Sequence, residues 1–118
     1  MNNTDIKITS RQRQSLDTVG VEKLNDMQLQ TLAAFRNGGD VVILSPTGTG
    51  KTLAYLIPLL EMLSERTRDV QAVVVLPTRE LARQVADVWK KMATGFKALC
   101  LHGGRSVNEE IVSMKGTT

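Results

Sequence analysis

Lys51 and Thr52 end the stretch "SPTGTGKT" at 45–52, just after glycines at 48 and 50. An ammonium, a hydroxyl and two closely spaced glycines suit one kind of work, the holding of a phosphate group. The pattern G-x-x-x-x-G-K-[ST] is met at Gly50, Lys51 and Thr52, with Ser45 in place of its first glycine. Gly48 and Gly50 admit backbone conformations that turn successive N–H groups inward as an anion nest. Ser45, Pro46, Thr47 and Thr49 would complete the cradle. Lys51 would supply a mobile positive charge for β- and γ-phosphates, and Thr52 a hydroxyl for Mg2+. The plainer alternative is a turn followed by a helix that begins with lysine. That arrangement is costly, because an ammonium at a helix N-terminus opposes the helix dipole unless an anion sits beside it.

Two further segments carry phosphate-binding chemistry. "PTRELA" at 77–82 places Pro77, Thr78 and Arg79 at the expected start of a helix. Backbone N–H groups, a hydroxyl and a guanidinium together can grip a nucleic-acid phosphate. Arg79 could instead pair with Glu80 or Asp87, and Glu80 would complement the dipole from the first turn. Gly103, Gly104 and Arg105 form a similar group later in the chain. Glycines there allow close approach to a sugar-phosphate chain and Arg105 adds charge; the alternative is a simple tight turn. Such contacts carry no base information, so sequence-independent binding is expected. His102 has no partners at metal-ligand spacing. Cys100, Trp89, Met92 and Tyr55 read as packing residues.

These groups need elements to hold them. Asn25 reads as a helix N-cap with Gln28 three positions on, a capping box. Leu29, Leu32, Ala33 and Phe35 follow as a helical stripe that "NGGD" at 37–40 closes. "VVIL" at 41–44 is apolar and mostly β-branched, and reads as a strand buried on both faces. A helix is expected from Gly50 to about Leu63, with Pro58 as a point of bending. "AVVVL" at 72–76 reads as a second buried strand. Residues 77–93 then form a helix with Leu81, Ala82, Val85, Val88, Trp89 and Met92 inward, ended by Gly95. "KALCL" at 97–101 reads as a third strand, and a weak helix is expected from Asn108 to about Lys115. The first two dozen residues are polar and weakly patterned. This alternation predicts an α/β domain, a parallel sheet of about three strands flanked by helices.

Composition sets outer bounds. The 118 residues are 42% hydrophobic and 23% charged, ordinary for one small globular domain. A net charge of +3 permits a polyanionic partner without requiring one. Cys100 is the single cysteine, which excludes an intrachain disulfide and fits a reducing, cytoplasmic setting. The longest apolar stretch, Leu53 to Leu60, is far too short to span a bilayer, and no membrane association is expected. The N-terminus has no apolar core of the secretory kind.

Taken together, "SPTGTGKT", "PTRELA", the glycine pair at 103–104 and a glutamine at 28 resemble, in order and spacing, motifs I, Ia, GG and Q of the DEAD-box RNA helicases. The resemblance covers about Gly20 to Arg105, and "PTRELA" is its most specific part. It implies that Gln28 reads the adenine edge, its carbonyl accepting from the N6 amine and its NH2 donating to N7. It implies ATP and Mg2+ as cofactors, held by Ser45, Pro46, Thr47, Gly48, Thr49, Gly50, Lys51 and Thr52. Lys51 and Thr52 would take part in catalysis. It implies that Pro77, Thr78, Arg79, Gly103, Gly104 and Arg105 hold the RNA backbone. The family usually writes Pro-Thr where this chain has Leu24-Asn25. It also places an aromatic upstream of the glutamine, in a region that here holds Ser10, Arg11 and Gln12.

The family's Asp-Glu-Ala-Asp and Ser-Ala-Thr motifs, and its second RecA-like domain with arginine fingers, are not found before Thr118. The expectation is an N-terminal extension at 1–19 and an incomplete, partial RecA-like phosphate-loop domain at 20–118. Its function would be that of a nucleotide- and RNA-binding piece of an ATP-dependent RNA helicase, inactive by itself. The alternative is a self-contained small phosphate-loop nucleotide-binding protein or kinase. A kinase would need a Mg2+-holding carboxylate at a strand end and lid arginines, and "PTRELA" would have no role in it. In RecA-like domains the strands carrying the missing motifs separate "VVIL" from "AVVVL". Either these two runs pair directly in a rearranged sheet, or another chain fills the gap in an oligomer.

Overall fold

Among the described residues four helices carry the architecture: α1 (Ser10–Thr18), α2 (Asp26–Arg36), α3 (Lys51–Met62) and α4 (Arg79–Lys91). The structure is a computed structural model that describes residues 5–46, 48 and 50–101. The chain divides into two compact units, Met1–Leu63 and Ser64–Thr118. No described helix is long and apolar enough to cross a membrane.

The first unit is built on α3, which packs mainly against α2 and also against α1. Both partner helices begin with a reciprocal capping box. In α2 the Asn25 side chain accepts from the Gln28 N–H at 2.9 Å, and the Gln28 carbonyl accepts from the Asn25 N–H at 2.9 Å. In α1 Thr9 and Gln12 repeat the exchange at 3.1 and 2.8 Å. Each box satisfies two N–H groups that a helix start otherwise leaves without partners. α1 ends in a Schellman turn, with Val21 N–H on the Leu16 carbonyl and Gly20 N–H on that of Asp17. The Arg13 guanidinium ties down the turn by donating to the Val21 and Glu22 carbonyls. The core comprises Leu16, Leu24, Leu32, Ala54, Leu56, Ile57 and Leu60. Each fully buried leucine or isoleucine contributes about 1.5–3 kcal/mol. Pro58 is buried inside α3; lacking an N–H, it gives the Ala54 carbonyl no intrahelical donor.

The second unit contains α4, whose start is capped by Thr78 accepting from the Leu81 N–H at 3.1 Å. Val85, Trp89 and Met92 form the buried stripe of this unit. The Trp89 indole N–H donates to the Phe96 carbonyl at 2.9 Å, so this ring is a packing residue, as its place on the stripe implied.

The expected parallel sheet is absent: among the described residues there is no strand. The runs at 41–44, 72–76 and 97–101 lie outside any ladder, so "VVIL" and "AVVVL" do not pair directly. Nor are the first two buried on both faces. Val42, Leu44, Val73 and Val75 are 82%, 91%, 78% and 88% exposed. The physical reason is the source of backbone hydrogen bonds. A helix supplies its own partners from within one segment, whereas a strand must take them from another. β-Branched residues resist the helix, so these runs stay non-helical without a neighbour to pair with.

Candidate functional site

The start of α3 differs from the other helix starts. α1, α2 and α4 are capped by the side chains of Thr9, Asn25 and Thr78, but α3 begins at Gly50 with no side-chain cap. Its first intrahelical bond from outside runs from the Ala54 N–H to the Gly50 carbonyl at 3.2 Å. The N–H groups of its first turn therefore face the loop, where the positive end of the helix dipole also lies. Gly48 and Gly50 both stand at φ +84°, in the left-handed region where side chains are strained. Pro46, Gly48 and Gly50 are exposed, and Ser45, Lys51 and Thr52 are half-buried, so the loop can be reached from solvent. Thr47 and Thr49, also expected in the cradle, lie outside the described residues.

The Lys51 ammonium reaches back across the loop and donates to the Ser45 carbonyl at 3.0 Å. The Tyr55 phenol is raised above its ordinary value by burial, an effect that Thr52 partly offsets. The donor set fits a phosphate with a hard cation. It offers backbone N–H groups and an ammonium for the anion, and a neutral hydroxyl oxygen for Mg2+. No cluster of three metal-ligating side chains exists among the described residues.

Gln28 is brought to this loop by α2. Its Nε2 donates to the Gly50 carbonyl at 3.1 Å while its Oε1 serves the Asn25 cap. The residue is 6% exposed. Each end of the amide thus has one protein partner and retains one further bonding position, since the amide has two protons and two lone pairs. The capping role and a ligand contact are compatible.

Pro77, Thr78 and Arg79 are exposed in the second unit. Arg79 makes no ion pair among the described residues, so pairing with Glu80 or Asp87 is not its role here. Gly103, Gly104, Arg105 and His102 lie outside the described residues.

The sequence reading passed over one connected group. Gln12, fully buried, donates to the Ile57 carbonyl at 3.0 Å and to Glu61 Oε1 at 3.2 Å. Arg36 clasps the same carboxylate with Nη2 at 2.6 Å and Nε at 3.0 and 3.1 Å. The Arg36 hydrogen bond holds the Glu61 carboxyl below its ordinary value, and Glu61 raises Arg36 in turn. This group locks α1 and α2 to the far end of α3, and so fixes the helix whose near end carries the loop. The Thr9-x-x-Gln12 spacing was the available signal.

Comparison with known proteins bears on this site. The family model of the DEAD/DEAH box helicases matches residues 25–118. The chain is 36% identical over 105 residues to the DEAD-box ATP-dependent RNA helicase CshC of Bacillus cereus, covering 87% of this chain and 27% of that one. It is 35% identical over 105 residues to the ATP-dependent rRNA helicase RRP3 of Encephalitozoon cuniculi, covering 88% and 26%. It is 34% identical over 113 residues to the DEAD-box ATP-dependent RNA helicase CshA of Bacillus subtilis, covering 94% and 23%. The chain spans about a quarter of the length of these relatives.

Proposed function

This chain belongs to the DEAD/DEAH box helicase family, and from that premise we propose that it binds ATP with Mg2+ on the 45–52 loop and an RNA backbone on 77–79 and 103–105. It would do so as part of an ATP-dependent RNA helicase. The observation that carries the nucleotide reading is the uncapped start of α3, opening on two left-handed glycines with Lys51 on its first turn.

Each residue has a separable task. Gly48 and Gly50 turn the backbone so that N–H groups face the phosphates. Lys51 exchanges a neutral acceptor, the Ser45 carbonyl, for phosphate oxygens, a change from a contact charged at one end to one charged at both. Gln28 offers its spare amide positions to the adenine edge while holding Gly50. Thr52 offers its hydroxyl to the cation. Bound Mg2+ would neutralise charge between the β- and γ-phosphate oxygens. Hydrolysis also needs oriented water and stabilisation of developing charge, and no described residue is assigned to either task. The 118-residue chain alone is therefore expected to bind without turnover. Pro77, Thr78 and Arg79 would hold phosphates through the α4 N-terminus and the guanidinium, without reading bases. A cytoplasmic setting suits the free thiol of Cys100.

Calorimetric titration with ATP and Mg2+ tests the nucleotide reading. Lys51→Ala is expected to weaken binding by more than about tenfold, the scale of a charge-assisted hydrogen bond. Equal affinities would overturn it.

A further inference from the structure

α4 turns its core residues and a row of cations to different sides. At about 100° per residue, Arg79, Arg83 and Lys90 fall within about 40° of one another around the axis, in a stripe about 16 Å long. All three are exposed, while Val85 and Trp89 are buried on the far side. In α1 the spacing Arg-x-x-x-Asp forms an ion pair, Arg13 with Asp17 at 2.8 Å. Arg83 and Asp87 share that spacing, yet Arg79, Arg83 and Lys90 form no ion pair among the described residues. Glu80 and Asp87 lie about 60–80° to one side of the stripe, and on its other side stands Ala86, whose small side chain leaves room for a chain along the helix.

A row of separated, exposed cations suits a row of phosphates; a compact anion would need them to converge on one point. Trp89, the aromatic of α4, is buried with its indole N–H on the Phe96 carbonyl, so this face offers charge without a platform for base stacking. The stripe begins at Arg79, at the helix start already proposed to hold phosphate. We propose that Arg83 and Lys90 continue the grip of Thr78 and Arg79, so that the backbone of a single RNA strand lies along the exposed face of α4. This rests on the RNA reading above.

Fluorescence anisotropy of the full chain with a labelled oligouridylate, repeated over a salt series, tests it. One phosphate contact on a single strand contributes about 0.7 to the slope of log affinity against log salt. Arg83→Ala and Lys90→Ala should each lower the slope by about 0.7 and weaken binding at low salt. Arg83→Lys should keep the wild-type slope, since a point charge suffices for this contact. Lys91→Ala removes the same charge beside Lys90 but about 100° off the stripe, and should also keep it. All of these positions are exposed, so urea midpoints should stay at the wild-type value. Wild-type slopes for Arg83→Ala and Lys90→Ala, beside a lowered slope for Arg79→Ala, overturn the proposal and leave the RNA reading standing. A slope lowered as far by Lys91→Ala does the same, because attraction is then diffuse. Wild-type protein that does not bind the oligonucleotide, or a wild-type slope in all three stripe variants, overturns both.

Discussion

Alanine at position 50 meets two obstacles that alanine at position 48 meets only in part. Both glycines stand at φ +84°, so either substitution forces a side chain into the left-handed region, at about 1–2 kcal/mol. A Cβ on Gly48 would have nothing within 4 Å, whereas one on Gly50 would lie 2.5 Å from Gln28 Nε2. The amide is the end of a flexible side chain and can withdraw. Withdrawal breaks its 3.1 Å bond to the Gly50 carbonyl, a loss of about 0.5–1.5 kcal/mol. Gly48→Ala should therefore cost about 1–2 kcal/mol and Gly50→Ala about 1.5–3.5 kcal/mol. Urea unfolding followed by far-UV circular dichroism measures both. In a Gln28→Ala background the excess at position 50 should vanish, because the bond it breaks is already gone. Equal costs at the two glycines, or an excess that survives loss of Gln28, would refute the link between α2 and the loop.

Other expectations rest on separate contacts. Gln12→Ala strands the Thr9 N–H and removes a buried donor from the Ile57 carbonyl, so urea unfolding should report a loss of about 1–3 kcal/mol. The Glu61 carboxyl is held low in the folded state by Arg36, so its stabilisation is complete above the ordinary glutamate range. It is lost as pH falls through the lowered folded value. With both side chains about a third exposed, Glu61→Gln should cost about 0.2–1 kcal/mol at pH 7 and progressively less in acid, read from urea midpoints across pH. RNA binding measured by fluorescence anisotropy on an unstructured oligonucleotide should weaken steeply with salt and tolerate any base sequence. Arg79→Ala should lower affinity and flatten that salt slope; an affinity unmoved by salt would contradict a phosphate-based grip.

α2, α3 and α4 were readable because their signals are local. Asn25 and Gln28 cap one another within a single turn, "NGGD" ends α2, and Thr78 sits one residue before α4. α1 was equally local, through Thr9 and Gln12, but escaped a reading that followed apolar periodicity. Its inward positions are Gln12, Ser15 and Leu16, two of them polar. A buried glutamine gives no hydropathic signal; its partners are the Ile57 carbonyl and Glu61, more than forty residues on.

The sheet failed as an expectation for the opposite reason. "VVIL" and "AVVVL" are apolar and β-branched, which by itself disfavours helix. Whether such a run becomes a strand depends on a second segment at hydrogen-bonding distance, and no residue within the run encodes that neighbour. By itself the sequence determined the helix caps, the glycine pair before Lys51 and the chemistry those residues can perform, all of which act across a few residues. Only the tertiary structure decided that Gln28 holds Gly50, that Gln12 and Arg36 meet on Glu61, and that the apolar runs remain exposed. Those outcomes turn on partners far apart along the chain, whose meeting depends on packing of the helices between them.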